Sequence, residues 1–161
     1  MILNIKNKSL IYTIISVVII ICFIIWIIIT QIEEYKLQDD PKLKELKHKI
    51  APLFNKNIKY EGILSCINNR DVLNEVTLYK GNKSYTINKQ KIFLCLKDEF
   101  DEYYDDMMLL HVLLHEICHS LCDEIGHTEK FNKMLDELLK KADEMQIYDL
   151  EYPVLQNYCQ Y

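Results

Sequence analysis

The sequence predicts a small α+β domain preceded by one N-terminal transmembrane helix. Three observations predict this class: one long uncharged apolar run, several short strand-like runs, and two helical runs towards the C-terminus. The chain has 161 residues, so the part that follows the apolar run is long enough to form one compact domain. No internal repeat indicates a solenoid or an array.

The apolar run covers residues 10–29 and contains no charged side chain. About 20 such residues match the thickness of the hydrocarbon core of a bilayer. The run is longer than a typical signal-peptide core, and no small-residue cleavage site follows it. We therefore expect an uncleaved anchor over residues 10–30 after a short tail at 1–9, then a charged stalk and short helix at 31–49.

Charges on the two sides of the anchor indicate its orientation. Lys6 and Lys8 precede the anchor, whereas Glu33 and Glu34 follow it. Because positive residues favour the cytosolic side, we expect a cytosolic N-terminus and a lumenal or external C-terminal domain. Five lysines between positions 36 and 49 reduce this asymmetry.

The domain at residues 50–161 begins with runs that favour strands. The predicted strands cover residues 58–66, 72–79, 84–88 and 92–97. Residues 80–83 include Gly81 and Asn82, which are typical of a hairpin turn between the second and third strands. These runs predict a short antiparallel or mixed sheet.

Residues 107–122 contain neither glycine nor proline and repeat their apolar side chains at helical spacing. His115 and His119 lie one turn apart on the same face of this predicted helix, so their imidazoles can converge on one zinc ion. Glu116 points towards the open coordination position, where it can take a proton from a zinc-bound water. The residues expected to face the core are Leu110, Leu114, Ile117, Cys118 and Leu121.

A catalytic zinc usually takes three protein ligands, and His127 is the expected third ligand. Gly126 can end the helix and turn the chain back, and Thr128 can cap the next helix. Glu137 lies about 120° away from the apolar face of the following helix, which argues against it. The other candidates are Asp123, Cys122 and His111.

These residues resemble the zincin metalloproteases of the WLM and SprT-like kind. The resemblance covers residues 91–145 and rests on His115-Glu116-x-x-His119, followed by His127 and Phe131. It implies a small zincin-like α+β domain in which His115, His119 and His127 bind Zn²⁺ and Glu116 is the general base. It also implies that the strand at 92–97 is an edge strand that pairs with an extended substrate.

Several other residues carry expectations of their own. Tyr148 and Tyr158 are candidate hydrogen-bond donors to a developing oxyanion, although packing is their default role. Cys118 and Cys122 are expected to be buried as small hydrophobic side chains. The last cysteine, Cys159, can pair with Cys66 or Cys95 in an oxidising compartment.

The leading hypothesis is a membrane-anchored zinc metallopeptidase that hydrolyses a peptide or protein substrate with Glu116 as general base. One alternative is a non-catalytic anchored module whose metal site is structural or vestigial. A less favoured alternative is a protease of DNA–protein crosslinks. The formal net charge of -5 argues against a nucleic-acid partner, because binding to phosphates needs a cation-rich surface.

Overall fold

The structure is a computed structural model that describes residues 2–156 and 158–159, with only the backbone described for residues 2–9. The chain divides into two compact units, Met1–Lys36 and Leu37–Tyr161. The first unit is a single helix, and the second is an α+β domain with a three-stranded mixed sheet. The expected α+β class with one long apolar N-terminal helix is thereby confirmed.

The N-terminal helix α1 spans Ile2–Gln38. It therefore includes positions 2–9, which the sequence assigned to a tail, and positions 31–38 of the segment assigned to a stalk and short helix. An 18-residue stretch within Leu10–Gln38 has a mean hydropathy of 3.1, and none of that stretch is buried inside the protein. By length and composition this helix is able to cross a membrane.

The second helix, α2, spans Pro41–Ile50 and is fixed by an N-terminal cap, by buried apolar residues and by ion pairs. The Asp40 side chain caps it by accepting a hydrogen bond from the backbone N–H of Lys42, and Pro41 occupies the first helical position. Its buried residues are Leu43, Leu46 and Ile50. Lys42 and Lys49 also form ion pairs with Asp106, which fix α2 against the start of the helix at 106–121.

The predicted strand at 58–66 is wrong. This segment is irregular and leads into a 3-10 helix at Gly62–Ile67. Gly62 has a φ of +59°, a left-handed conformation that breaks an extended strand and that glycine adopts without strain. The short apolar run is therefore folded into local turns rather than into the sheet.

The predicted strand at 72–79 is only half correct. Its first part is a single helical turn, α3, at Val72–Glu75, and its second part is strand β1 at Thr77–Lys80. The turn begins because the backbone N–H groups of Asn74 and Glu75 donate to the carbonyl of Asp71 at 2.8 and 2.9 Å. These local hydrogen bonds thus form a helical turn where the alternation of apolar residues predicted a strand.

The sheet contains β1, β2 at Tyr85–Ile87 and β3 at Lys91–Leu94, in the order β1-β3-β2. β1 is parallel to β3, and β2 is antiparallel to β3. The expected hairpin between the second and third predicted strands is therefore wrong, because β1 and β2 are not neighbours. The expected edge strand at 92–97 is also wrong, because β3 is central and β2 lies at the edge.

The hairpin joins β2 to β3 through Asn88 and Lys89. Both residues have positive φ, 50° and 58°, as the central residues of a type I′ turn do, and Gln90 is the third residue between the paired Ile87 and Lys91. The backbone N–H of Gln90 donates to the carbonyl of Ile87 at 3.1 Å and closes the turn. Gly81 does not form this turn. It lies where the backbone approaches closely, since a Cβ there would lie 2.9 Å from the carbonyl oxygen of Lys83.

Helix α4 spans Asp106–Leu121 and is capped by Asp105, which accepts a hydrogen bond from the N–H of Met107 at 2.8 Å. It packs against α2, the sheet and helix α5, which spans Glu129–Glu144. The α4 residues expected in the core are buried. Thr128 caps α5 as expected, by accepting a hydrogen bond from the N–H of Phe131.

The chain after α5 returns to the sheet and is tied to it. A disulfide joins Cys95 to Cys159, one of the two partners that the sequence left open. The hydroxyl of Tyr158 donates to the carbonyl of Cys95 and lies 2.9 Å from the hydroxyl of Ser84. Cys118 and Cys122 are buried with free thiols, as expected.

Replacement of Cys159 by serine should lower the free energy of unfolding by about 2–4 kcal/mol, because the disulfide closes a long loop of the unfolded chain. The sequence separation of the two cysteines is 64. Chemical denaturation of the full-length protein in detergent, without reductant, measures this loss. Reductant should destabilise the parent to the level of Cys159→Ser and leave the variant unchanged.

The matched control is Cys66→Ser, which changes a free, half-buried cysteine. This variant should lower the free energy of unfolding by less than about 1 kcal/mol, because a partly exposed hydroxyl can form a hydrogen bond with water. Equal losses for the two variants would show that the disulfide itself contributes nothing.

Candidate metal centre

Three histidines form the partly exposed stripe of an otherwise buried helix. Within α4, His111, His115 and His119 recur every four residues. All the remaining positions of α4 beyond Met107 are buried. A helix packed on almost all sides leaves one direction open to solvent. The sequence pattern therefore places imidazoles along the one line where α4 can meet a ligand.

His127 reaches the same place from the loop that joins α4 to α5. α4 ends at Leu121, so Gly126 does not end the helix as the sequence suggested. Gly126 instead lies inside the loop with a φ of +83°, which glycine tolerates. This turn and the cap at Thr128 direct the His127 ring back towards α4.

The imidazoles of His115, His119 and His127 converge. The Nε2 atom of His127 lies 2.9 Å from that of His115 and 3.2 Å from that of His119. One nitrogen from each ring falls within 4.8 Å of the others, a group that can hold one metal ion. The structure thus brings together the three histidines that the sequence proposed as ligands.

The other candidates for the third ligand are directed elsewhere. The Glu137 carboxylate lies beside Gly62, and the Asp123 carboxylate pairs with Lys130 at 2.6 Å. His111 continues the stripe, but its Nδ1 atom lies 3.1 Å from the hydroxyl of Tyr148. Cys122 is completely buried.

Burial and the neighbouring imidazoles favour the neutral forms of His115 and His119. Burial, together with the neighbouring histidines, lowers the pKa of His115 to about 4. Burial and then His127 lower the pKa of His119. Since a metal ion binds the neutral imidazole, these shifts favour the form of His115 and His119 that can bind a metal.

Glu116 lies next to the cluster and is held by a residue of the sheet. It is 6% exposed, and its Oε2 atom accepts a hydrogen bond from Thr86 Oγ1 at 2.7 Å. Burial raises the pKa of Glu116, and the hydrogen bond from Thr86 opposes this rise. The carboxylate is therefore a stronger base than an exposed glutamate, and its position is fixed.

The cluster and Glu116 lie in an open cleft of about 630 Å³. One wall is formed by β2 and its hairpin, including Ser84, Tyr85 and Thr86, and the other by the loop at 124–127. A cleft of this size is typical of a ligand site. The arrangement combines a group of imidazoles that could hold a metal ion with a buried carboxylate in the same cleft.

Thr86 and Lys89 are site residues that the sequence did not reveal. The Lys89 ammonium donates to the carbonyl of Cys122 at 2.5 Å, at the C-terminal end of α4, where a positive charge is favourable. Thr86 and Lys89 lie 30 and 33 residues from their partners. No local pattern marks contacts of such separation.

The two candidate tyrosines are bonded outside the immediate cluster. Tyr148 pairs with His111, and Tyr158 is bonded to Ser84 and to the backbone of Cys95. Burial raises the pKa of Tyr158 to about 12. Among the described residues that line the cleft, neither tyrosine is present.

Thr86→Val should destabilise the metal-free protein by about 1–3 kcal/mol, because the buried Glu116 carboxylate loses a donor. Valine keeps the shape of threonine and favours a strand, so the loss reports the hydroxyl. Urea unfolding of the full-length protein in detergent with a chelator measures it. Thr86→Ser retains the hydroxyl and should cost less; an equal loss in the two variants would contradict this role.

Comparisons with known proteins place the chain beside two viral proteins. It is similar to "Uncharacterized protein 136R" of Invertebrate iridescent virus 6, with 50% identity over 104 residues, which are 63% of this chain and 58% of the relative. It is also similar to "Uncharacterized protein 042R" of Invertebrate iridescent virus 3, with 38% identity over 99 residues, 61% of this chain and 62% of the relative.

The chain thus spans about three-fifths of the length of each relative that it matches. No protein-family model matches the chain, and no solved structure matches it. The names of the two relatives state no activity. The geometry of the cleft is therefore the basis on which a function can be assigned.

Proposed function

We propose that this protein is a membrane-anchored zinc metallopeptidase. The observation that carries the proposal is the buried Glu116 carboxylate beside three convergent imidazoles in one open cleft. A helix that needed only packing would not bury a carboxylate next to three histidines, since burial of a charged group is costly. This combination supports a zincin-like site, which the sequence motif also resembles.

The three imidazoles fit zinc. Zinc binds histidine nitrogens at about 2.0–2.1 Å in a tetrahedron, which holds the nitrogens about 3.3 Å apart. The separations of 2.9 and 3.2 Å from His127 Nε2 are close to this value. His115, His119 and His127 would hold the ion and leave the side facing the cleft open for substrate.

Glu116 supplies the proton chemistry of the proposed reaction. Bound zinc would polarise the scissile carbonyl and lower the pKa of a bound water to about 7. Glu116 removes a proton from the attacking water and later donates it to the leaving amine. Its raised pKa suits both steps, and the hydrogen bond from Thr86 holds the carboxylate in place for them.

The substrate is proposed to bind along β2. β2 is an edge strand that pairs with β3 on one side, and Tyr85 and Thr86 line the cleft. An extended peptide can add to such an edge through its main chain, with alternate side chains directed into the cleft. We thus assign to β2 the pairing with an extended substrate that the sequence predicted for the strand at 92–97.

The openness of the cluster favours a catalytic site over a structural site. Structural zinc sites usually close the metal with four protein ligands, whereas catalytic sites keep one position open. Only three described side chains converge here, and His127 is exposed. Among the described residues the site therefore has the composition of a catalytic centre.

We further propose that α1 anchors the protein with its domain on the lumenal or external side. Most side chains of α1 at positions 10–29 are exposed apolar groups, which the hydrocarbon core of a membrane would cover. Disulfides persist in oxidising compartments, so the bond between Cys95 and Cys159 supports this side of the membrane.

Glu116→Gln should retain zinc but lower kcat/KM for peptide cleavage at least about 100-fold, because an amide cannot accept the proton. The measurement is cleavage of a fluorogenic peptide library by the full-length protein in detergent, alongside metal analysis. Glu137→Gln makes the same chemical change beside Gly62 and should cleave normally. A zinc-loaded Glu116→Gln protein that cleaves as fast as the parent would remove Glu116 as the general base.

The third ligand is tested by His127→Ala and Glu137→Ala. Loss of His127 should weaken zinc binding at least about 100-fold, which exceeds the usual effect of losing a partner outside the ligand set. Glu137→Ala should bind zinc as the parent does. Competition with a chromophoric chelator gives both affinities, and the reverse order would make Glu137 the ligand.

A further inference from the structure

The ring of Phe131 lies against all three imidazoles of the cluster. Its centroid is 4.2 Å from that of His119, in a stacked arrangement, and 5.0 Å from those of His115 and His127, in edge-on arrangements. Phe131 is 1% exposed. One buried aromatic ring thus forms a floor under the cluster, on the side away from the cleft.

The backbone of Phe131 is fixed at the start of α5. Its N–H donates to the Thr128 side chain at 3.3 Å, and its carbonyl accepts the Cys118 thiol at 3.7 Å. Cys118 lies next to His119 on α4, so this contact joins the starting turn of α5 to the ligand helix. The ring therefore has a fixed origin relative to both elements that carry the histidines.

His127 needs such a support more than the other two histidines. His115 and His119 project from a buried helix, whereas His127 follows an exposed loop at 123–126. A Cβ at Gly126 would meet no atom within 4 Å, so the loop beside His127 is in open space. The contact with Phe131 is a side-chain contact that restricts the orientation of the His127 ring.

We propose that Phe131 is a positioning residue that preorganises the three imidazoles for metal binding. A flat ring in contact with three others excludes most of their alternative rotamers, so fewer conformations are lost when the metal binds. Aromatic pairs at these separations also prefer stacked and edge-on geometry. This inference rests on the proposed function in that the metal is taken to be zinc.

A purely structural role for Phe131 makes a different prediction. If the ring only filled the core, Phe131→Leu would cost stability but leave the affinity of the folded protein for metal unchanged. Leucine keeps an apolar side chain at this buried position and removes the flat aromatic face. The affinity of the folded protein for metal therefore separates the two roles.

The experiment compares Phe131→Leu with the parent and with Leu138→Ala, all as full-length proteins in detergent. Leu138 lies two turns further along α5 and is completely buried. Its truncation should therefore cost at least as much stability as Phe131→Leu, while the ring of Phe131 stays in place. Zn²⁺ affinity is measured by competition with a chelator, and metal-free stability by urea unfolding. Co²⁺ in place of Zn²⁺ reports the ligand geometry through its visible absorption.

Phe131→Leu should bind Zn²⁺ about 10- to 100-fold more weakly than the parent, the usual effect of removing a group that orients ligands. Its Co²⁺ spectrum should also change, whereas Leu138→Ala should retain the parent affinity and spectrum. Parent-like affinity in Phe131→Leu, or an equal loss in Leu138→Ala, would overturn the proposal. A parent that binds no Zn²⁺ overturns it as well.

The outcome is independent of the test of the peptidase itself. A parent that binds Zn²⁺ but cleaves no peptide would contradict the proposed function and leave the comparison of affinities intact. Conversely, Glu116→Gln could lose cleavage as expected while Phe131→Leu keeps the parent affinity for Zn²⁺. This result would support the peptidase and reject the positioning role of Phe131.

Discussion

The near-complete burial of α4 governs both the packing of the domain and the position of its cleft. The sheet, α2 and α5 all pack on this helix, and its remaining partly exposed side chains are those at its first turn and the histidine stripe. A helix with one open line can carry its polar groups only along that line. The same packing that forms the core thus also decides where chemistry can occur, and it aims His115 and His119 into the cleft.

Three short contacts complete the cleft around that stripe. Thr86 binds Glu116 from the sheet, Lys89 binds the end of α4 from the hairpin, and Thr128 caps the helix that follows His127. Each contact joins a different element to α4 or to the loop that leaves it. Because none of them depends on a metal ion, the polypeptide itself brings the imidazoles and the base together.

The sequence predicted the parts of the fold that depend on local periodicity. α4 and α5 show apolar residues at helical spacing, and threonine is a common capping residue, so these two helices and the cap at Thr128 were correct. The same spacing places the rings of His115 and His119 side by side. The sheet was predicted poorly because strand order is a tertiary property. Gly81 and Asn82 resemble a hairpin turn more than Asn88 and Lys89 do, yet the latter pair forms it.

The disulfide between Cys95 and Cys159 has a consequence for a chain that is cut. It encloses α4, α5 and their connecting loop in one covalent ring, which contains every histidine of the cluster. A single nick anywhere inside this ring, such as beside the exposed Phe100 or Ile125, leaves both fragments bonded to each other. Proteolysis at these points would therefore yield a species that migrates as one chain until its disulfide is reduced.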